Sequence, residues 1–181
     1  IPWNTNESKV MKKTILKIKD NSELSSDYLL ENTNSGMQTL KKLEAGGGYY
    51  IYSNDNPRAN VMRWTKHELK LSDDELREAE IREYHVLGFD LGYVYMGVAY
   101  YTKGLYPVHC YETDPAMLIY ALRLRNYSGA IKRNLVLHLD PLLTEFASHV
   151  KEKHSKVLLY PPRVRMIENA ERLVEIVYVP R

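Results

Sequence analysis

Residues 86–104 read VLGFDLGYVYMGVAYYTKG, and this stretch decides the fold that we expect. An apolar run ends in a lone carboxylate, Asp90, and Gly92 and Gly97 follow at five-residue spacing around a second apolar run. Glycine adopts backbone angles that are closed to other residues, so it permits a sharp turn and a close backbone approach. We therefore predict a β-hairpin over residues 85–101, with the acid at the end of its first strand.

Composition places the chain among ordinary globular proteins. It has 181 residues, of which 44% are hydrophobic and 27% charged, which predicts one domain with an elaborated end. A net charge of +2 neither identifies nor excludes a nucleic-acid partner. The lone cysteine, Cys110, excludes an internal disulfide and a cysteine-based zinc site, and we expect it to be a buried strand residue. No apolar run is long enough to span a membrane, so we expect no membrane partner.

The chain begins with Ile1 rather than methionine. We interpret it as a processed intracellular protein, with an organellar matrix location after transit-peptide removal and a virus-associated origin both open.

Residues 1–72 are interpreted as an irregular N-terminal extension that contacts other protein subunits. Within it, TILKIK predicts a strand, GMQTLKKLEA a short helix ended by Gly46–Gly48, and YYIY a strand. The three glycines resemble a phosphate-binding loop, but no Lys-Ser/Thr pair follows, so a turn is favoured.

Residues 73–181 carry the stronger secondary-structure signals. Ser72 and Glu75 form a capping box for a helix that ends near Tyr84. The hairpin, a third strand LYPVHCYE, a helix from Pro115 and the central strand NLVLHL then follow. A helix from Pro141, the strand KVLLY and a last helix complete the order. Three antiparallel strands followed by alternating helix and strand predict an α/β fold with a mixed sheet.

The stretch FDLGYVYMGVAYY resembles the first motif of the RuvC-like resolvases and pre-ribosomal-RNA nucleases, within the ribonuclease-H-like superfamily. The resemblance rests on Asp90, Gly92, Gly97, Val98 and Ala99. It implies a ribonuclease-H-like mixed sheet and a nuclease in which the acid binds catalytic Mg²⁺ or Mn²⁺. A carboxylate at a strand end suits a hard cation that also contacts a phosphate. The alternative is an aspartate that accepts backbone hydrogen bonds in a turn.

The resemblance implies further acids for the same site. Asp140 follows the strand LVLHL, where a second metal ligand is expected, but it also precedes Pro141 as a helix N-cap does. Glu168 and Glu171 lie three residues apart on one helix face, as the remaining acids of the family do, although two glutamates on a solvated face are common.

Two basic clusters are candidate nucleic-acid contacts. Such cations supply sequence-independent affinity for phosphate, or simply complement the C-terminal ends of helices. The candidates are Arg123, Arg125, Lys132, Arg133, Arg163 and Arg165. The six histidines show no metal-binding spacing, so we expect His109 and His138 to be structural strand residues.

The sequence therefore leaves two functional hypotheses open. The first is a magnesium-dependent nuclease acting on structured nucleic acid through Asp90, Asp140 and a late glutamate. The second is a non-catalytic module in a large assembly, such as an organellar ribosome or a viral particle. An actin-like nucleotide-binding fragment is disfavoured because no second phosphate loop is present.

Overall fold

The computed structural model describes most of the chain in four segments. These are residues 27–69, 81–152, 154–166 and 170–178. The predicted strand TILKIK and the capping box lie outside them, as does the proposed boundary after residue 72.

The first described segment forms a small antiparallel sheet and a helix. Its elements are β1 (Tyr28–Asn32), β2 (Gln38–Lys42), β3 (Tyr49–Tyr50) and α1 (Pro57–Leu69). The strands pair in the order β1-β2-β3. The predicted helix over GMQTLKKLEA is wrong, because Gln38–Lys42 of this stretch form strand β2. The adjacent residues Thr39 and Leu40 are both buried in that strand. The glycine turn is confirmed, since Gly46, Gly47 and Gly48 all have positive φ.

The remaining described residues form a parallel sheet with helices between its strands. The elements are β4 (Glu83–Leu87), α2 (Tyr93–Tyr101), β5 (Val108–Glu112), α3 (Pro115–Leu124), α4 (Ser128–Ile131), β6 (Leu135–Leu139), α5 (Thr144–His149), β7 (Ser155–Leu158), α6 (Pro161–Val164) and α7 (Ala170–Tyr178). The strand order is β6-β5-β4-β7, and every neighbouring pair is parallel. The α/β class is confirmed. No helix among the described residues has the length and apolar character to cross a membrane.

The predicted hairpin is wrong in its second half. Residues Tyr93–Tyr101 form helix α2 instead of the second strand of a hairpin. The helix connects β4 to β5, and these two strands therefore pair in parallel rather than in the antiparallel order that we predicted. Helix α2 packs against α1, where Gly97 meets Thr65, and its Val98 lies fully buried in the main core. A helix covered on several sides carries apolar residues all round, and the 3.6-residue period that distinguishes helix from strand is lost.

Two hydrophobic cores lie on the two faces of the parallel sheet. Strand residues alternate between faces, so Cys110 points to the larger core, with Val98 of α2 and Leu118 of α3. Tyr111 points to the smaller one, with Phe146 of α5 and Leu173 of α7. Cys110 is fully buried, as predicted.

Three further details of the sequence prediction change. Strand β6 lies at one edge of the described sheet, not at its centre. Helix α5 begins three residues after Pro141, where the sequence predicts its start, and Leu142 before it is 63% exposed. Tyr84, expected at the end of a helix, is buried in β4.

The contact between α1 and α2 depends on the missing side chain of Gly97. A Cβ there would lie 2.6 Å from the Thr65 Oγ1 and 3.0 Å from its Cβ. We expect Gly97→Ala to lower the free energy of unfolding by about 1–3 kcal/mol, because overpacking pushes the helices apart. Urea denaturation measures this loss.

Gly129→Ala is the matched control. It makes the same change in helix α4, where a Cβ would meet nothing within 4 Å. There the better helix propensity of alanine should stabilise by up to about 1 kcal/mol. Equal effects of the two variants would contradict the close-approach role of Gly97.

Candidate functional site

The carboxyl edge of the parallel sheet holds a buried cluster of one guanidinium and two carboxylates, which we call the Arg163 cluster. Asp90 follows β4, Glu112 ends β5, and Arg163 lies in α6 directly after β7. Their exposed fractions are 2%, 0% and 3%. The three strands are neighbours, so their carboxyl ends meet at one edge of the sheet.

Arg163 pairs with both acids. Its Nε lies 3.2 Å from the Asp90 Oδ1, an ion pair without hydrogen-bond alignment, and its Nη2 donates to the Glu112 Oε1. The Glu112 Oε2 also accepts from the backbone N–H groups of Phe89 and Asp90, at 3.0 and 3.3 Å. Glu112 therefore holds the turn after β4 as well as the guanidinium.

The turn after β4 has the backbone that this cluster requires. Gly88, Asp90 and Gly92 have φ values of 83°, 46° and 75°. A Cβ on Gly88 would collide with the Arg163 side chain, with the Cγ at 2.6 Å, and one on Gly92 would meet the Tyr127 hydroxyl at 2.9 Å. Gly92, predicted to permit a hairpin turn, and Gly88, which we did not single out, instead let a strand–turn–helix connection pass close to buried side chains.

A residue that follows the N-terminal sheet covers the Arg163 cluster. The hydroxyl of Tyr52, two residues after β3, donates to the Asp90 Oδ2 at 3.1 Å. The Tyr52 ring stacks on Tyr160 with centroids 5.6 Å apart and meets Tyr93 edge-on at 5.1 Å. Burial, and then the Asp90 carboxylate, raise the pKa of Tyr52 well above its usual value, so the hydroxyl keeps its proton and donates.

Burial and charge act in opposite directions within the cluster. Burial raises the pKa of Asp90 to about 6, with Glu112 adding to the rise and the Arg163 guanidinium opposing it. Burial alone would lower the pKa of Arg163, but the Asp90 and Glu112 carboxylates outweigh it and raise that pKa. The guanidinium therefore stays charged.

The structure does not bring the predicted metal ligands together. Asp90 and Asp140 follow β4 and β6, which lie on opposite sides of β5, so their strands are about 10 Å apart at the usual spacing. Both oxygens of Asp140 accept hydrogen bonds from its own helix region, from the backbone N–H groups of Thr144 and Phe146 at 2.8 Å each. Asp140 thus accepts from amides at the start of α5, as the capping alternative expects, but it lies three residues before the N-cap, Leu143, rather than at the N-cap itself.

Neither of the two glutamates predicted to complete the metal site is among the described residues of this edge of the sheet. Glu168 lies outside the described residues, and Glu171 lies in α7. Among the described residues, no group of three or more His, Cys, Asp or Glu side chains is placed to hold a metal ion. Asp90 is also paired with a buried cation, which repels a divalent ion. As arranged here, Asp90 and Asp140 do not fit a shared Mg²⁺ or Mn²⁺.

The predicted basic residues separate into buried and exposed groups. Arg163 is inside the cluster, so its expected contact with phosphate is corrected to an internal ion pair. Arg165, two residues later, is exposed, as are Arg123, Lys132 and Arg133. Arg125 is half-buried, with its guanidinium carbon 5.3 Å from the centre of the Tyr93 ring.

An open groove lies beside the exposed basic residues. Its volume is about 440 Å³, and it is lined by residues 122–128 together with Ile131. Arg123 and Arg125 both line it, and Lys132 and Arg133 follow Ile131 directly. We call this the basic groove.

A second polar cluster, which we did not predict, lies on the face of the parallel sheet that carries the smaller core. The Tyr111 hydroxyl is 2.8 Å from the His85 Nδ1 and 2.9 Å from the His149 Nδ1. The His109 Nδ1 is 2.9 Å from the His138 Nε2, whose ring also reaches Glu145 at 2.6 Å. His109 and His138 are strand residues, as predicted, but the meeting of four histidines was not predicted.

Glu112 and the histidine cluster differ in how visible they are in the sequence. We did not predict Glu112, although it closes the predicted strand LYPVHCYE much as Asp90 closes the predicted strand HVLGFD. The histidines are scattered along the chain and meet only through the registers His85↔His109 and Tyr111↔His138. Pairing between distant strands carries no local sequence signal.

Comparison with known proteins assigns no family to this chain. No family model matches it, and no curated protein matches it. Among solved structures, the crystal structure of MnmC2 from Aquifex aeolicus is similar, with 17% sequence identity and a TM-score of 0.34. The match covers 93% of this chain and 55% of that one, so this chain spans about half the length of that protein. A likeness this weak carries no argument about function.

The Arg163 cluster generates a stability prediction. Arg163→Met should lower the free energy of unfolding at neutral pH by about 3–5 kcal/mol, because it leaves two buried acids without their cation. Asp90 has a folded-state pKa above its unfolded value, so it takes up a proton on folding at mildly acidic pH. Removing Arg163 strengthens that tendency, and the deficit relative to wild type should shrink between pH 7 and pH 5. Urea denaturation across this range measures the effect.

Arg165→Met is the matched control for Arg163→Met. It removes the same type of side chain two residues away, at an exposed position, and should change stability by less than about 0.5 kcal/mol. A deficit of Arg163→Met that does not vary with pH would contradict the ion-pair assignment.

The histidine cluster makes stability fall in acid. Burial, followed by repulsion from His149 and His138, lowers the pKa of His85 to about 4. The unfolded chain then binds more protons than the folded one below about pH 6.5, so His85 alone should cost about 2 kcal/mol of stability at pH 5 relative to pH 7. His85→Leu should remove that part of the pH dependence in urea denaturation series.

His67→Gln, which removes an imidazole that is 82% exposed, is the control for His85→Leu. If both variants keep the wild-type pH dependence, His85 does not titrate as inferred.

Proposed function

We propose that this chain is a nucleic-acid-binding module that acts without a metal centre at Asp90. The observation that supports it is a separation of charge between residues 91 and 139. The acids in this stretch are Glu112 and Asp114. The carboxylate of Glu112 is paired with Arg163 inside the Arg163 cluster. Asp114 accepts a hydrogen bond from the Ala116 N–H as the N-cap of α3.

The cations of the same stretch face solvent. They are Lys103, Arg123, Arg125, Lys132 and Arg133, and all but Arg125 are exposed. Arg123 and Arg125 line the basic groove. A concave surface lined by Arg123 and Arg125, with Lys132 and Arg133 directly after it in the chain, raises the local positive potential above what a net charge of +2 implies. Phosphate backbones are the polyanions that such a surface attracts.

The magnesium-dependent nuclease remains the other hypothesis from the sequence resemblance. It needs Asp90 and Asp140 to share ions, and the internal bonds of both carboxylates disfavour that arrangement. The non-catalytic hypothesis needs only the exposed cations, so the geometry favours it.

The test is binding of labelled single- and double-stranded oligonucleotides by fluorescence anisotropy, over about 50 to 200 mM salt. We expect salt-dependent affinity. For a single strand, Arg123→Gln and Arg133→Gln should each reduce the slope of log affinity against log salt by about 0.7, since each removes one phosphate contact.

Lys151→Gln is the matched control for the arginine variants. Lys151 is exposed just beyond α5, on the other side of the sheet, and should not change the slope. Equal losses in all three variants, or no binding at low salt, would contradict the proposal. Cleavage that needs Mg²⁺ and is lost in Asp90→Asn would establish the nuclease instead.

A further inference from the structure

The outer side of α2 carries a line of residues that leads away from the basic groove, which we call the α2 strip. It consists of Met96, Tyr100 and Lys103 of α2 and its C-terminal turn, with Arg125 at one end and Arg133 at the other. Met96 and Tyr100 are four residues apart, so they are neighbours on one helix face.

Contacts tie both ends of the strip to basic residues. At the N-terminal end, the Arg125 Nη1 lies 3.9 Å from the Met96 sulfur. At the C-terminal end, the site of a Cβ on Gly104 is 3.9 Å from the Arg133 Cδ. The strip therefore runs from one guanidinium to another along about 10 Å of helix.

Tyr100 is an unusual residue at the centre of this surface. It is 67% exposed, although most described tyrosines are wholly or partly buried. Its ring meets Tyr101 edge-on, with centroids 5.1 Å apart and planes at 86°. Tyr101 packs against the main core. An exposed aromatic ring supported by a fixed neighbour offers a face for stacking at little cost in side-chain entropy.

The turn after α2 is equally ordered. Lys103 and Gly104 have φ values of 55° and 65°, and the Gly104 N–H donates to the Ala99 carbonyl at 2.8 Å. This hydrogen bond closes the helix in the manner of a Schellman motif. It places Lys103 in the turn at the C-terminal end of the helix, three residues after Tyr100.

We propose that the α2 strip binds single-stranded nucleic acid, with a base stacked on Tyr100 and phosphates held by Arg125, Lys103 and Arg133. This inference rests on the proposed function and specifies its ligand. Bases in a duplex are stacked on one another and expose no face to a side chain, whereas those of a single strand stack on aromatic rings. Met96 and Tyr100 also lack the paired donors and acceptors that read base edges in a groove.

The experiment compares three ligands of equal length by fluorescence anisotropy, of which the two single-stranded ones also carry equal charge. These are a single-stranded oligonucleotide, its abasic phosphodiester analogue and the duplex. Tyr100→Ala should weaken binding of the single strand by about fivefold to about a hundredfold, the usual loss for one stacked base. It should leave the abasic analogue unchanged, because that ligand has no base to stack.

Two further variants separate stacking from general apolar contact. Leu105→Ala removes a side chain that is 68% exposed just beyond the same turn, and should leave single-strand affinity unchanged. Tyr100→Trp should retain binding, and its indole emission should be quenched when the single strand is added but not with the abasic analogue.

The outcomes distinguish base stacking on the α2 strip from the nucleic-acid binding proposed for the basic groove. If the arginine variants weaken binding but Tyr100→Ala does not, or if the duplex binds as tightly as the single strand, the α2 strip is not a base-stacking surface while the basic groove still binds phosphate. If no oligonucleotide binds, both proposals fail. An equal loss of abasic and intact ligands in Tyr100→Ala would also overturn the stacking role.

Discussion

The buried pairing of Arg163 with Asp90 and Glu112 is the interaction on which the rest of this structure depends. It joins the carboxyl ends of three neighbouring strands, and the turn after β4 takes its shape around it. Two buried carboxylates would be costly without a cation, and a buried guanidinium would be equally costly without them. Tyr52 extends the network to the N-terminal sheet, so both sheets share one polar centre.

This pairing also decides where charge remains available. The acids nearest the sheet edge are neutralised internally, while the cations of α3 and of the segment after α4 remain at the surface. The net charge of the chain is only +2, yet the exposed Arg123, Lys132 and Arg133 give a local asymmetry of positive charge beside the basic groove. The binding function that we propose follows from that asymmetry, and the same asymmetry explains why the carboxylates that suggested metal chemistry are poorly placed for it.

The sequence predicted the α/β class, several strands, the helix from Pro115 and the buried cysteine, because each has a local pattern. It misassigned α2, whose tyrosine and valine content favours a strand when its partners are unknown. It also placed Arg163 at the surface, since a proline-basic stretch looks exposed until the strands supply two acids. The histidine cluster and the Arg163 cluster depend on strand order and register, which arise from packing between distant segments.

The position of Arg163 has a consequence for how the chain is made. Glu112 lies 51 residues before its cation, and β4 pairs with β7 across a comparable gap, with Glu83 opposite Ser155. A growing polypeptide therefore contains both acids and most of the sheet before the balancing side chain has been synthesised. Until then the acid-bearing turn stays hydrated, and the nascent sheet cannot close its edge. Completion of the C-terminal third is thus the step that converts a partly formed sheet into a cooperative domain.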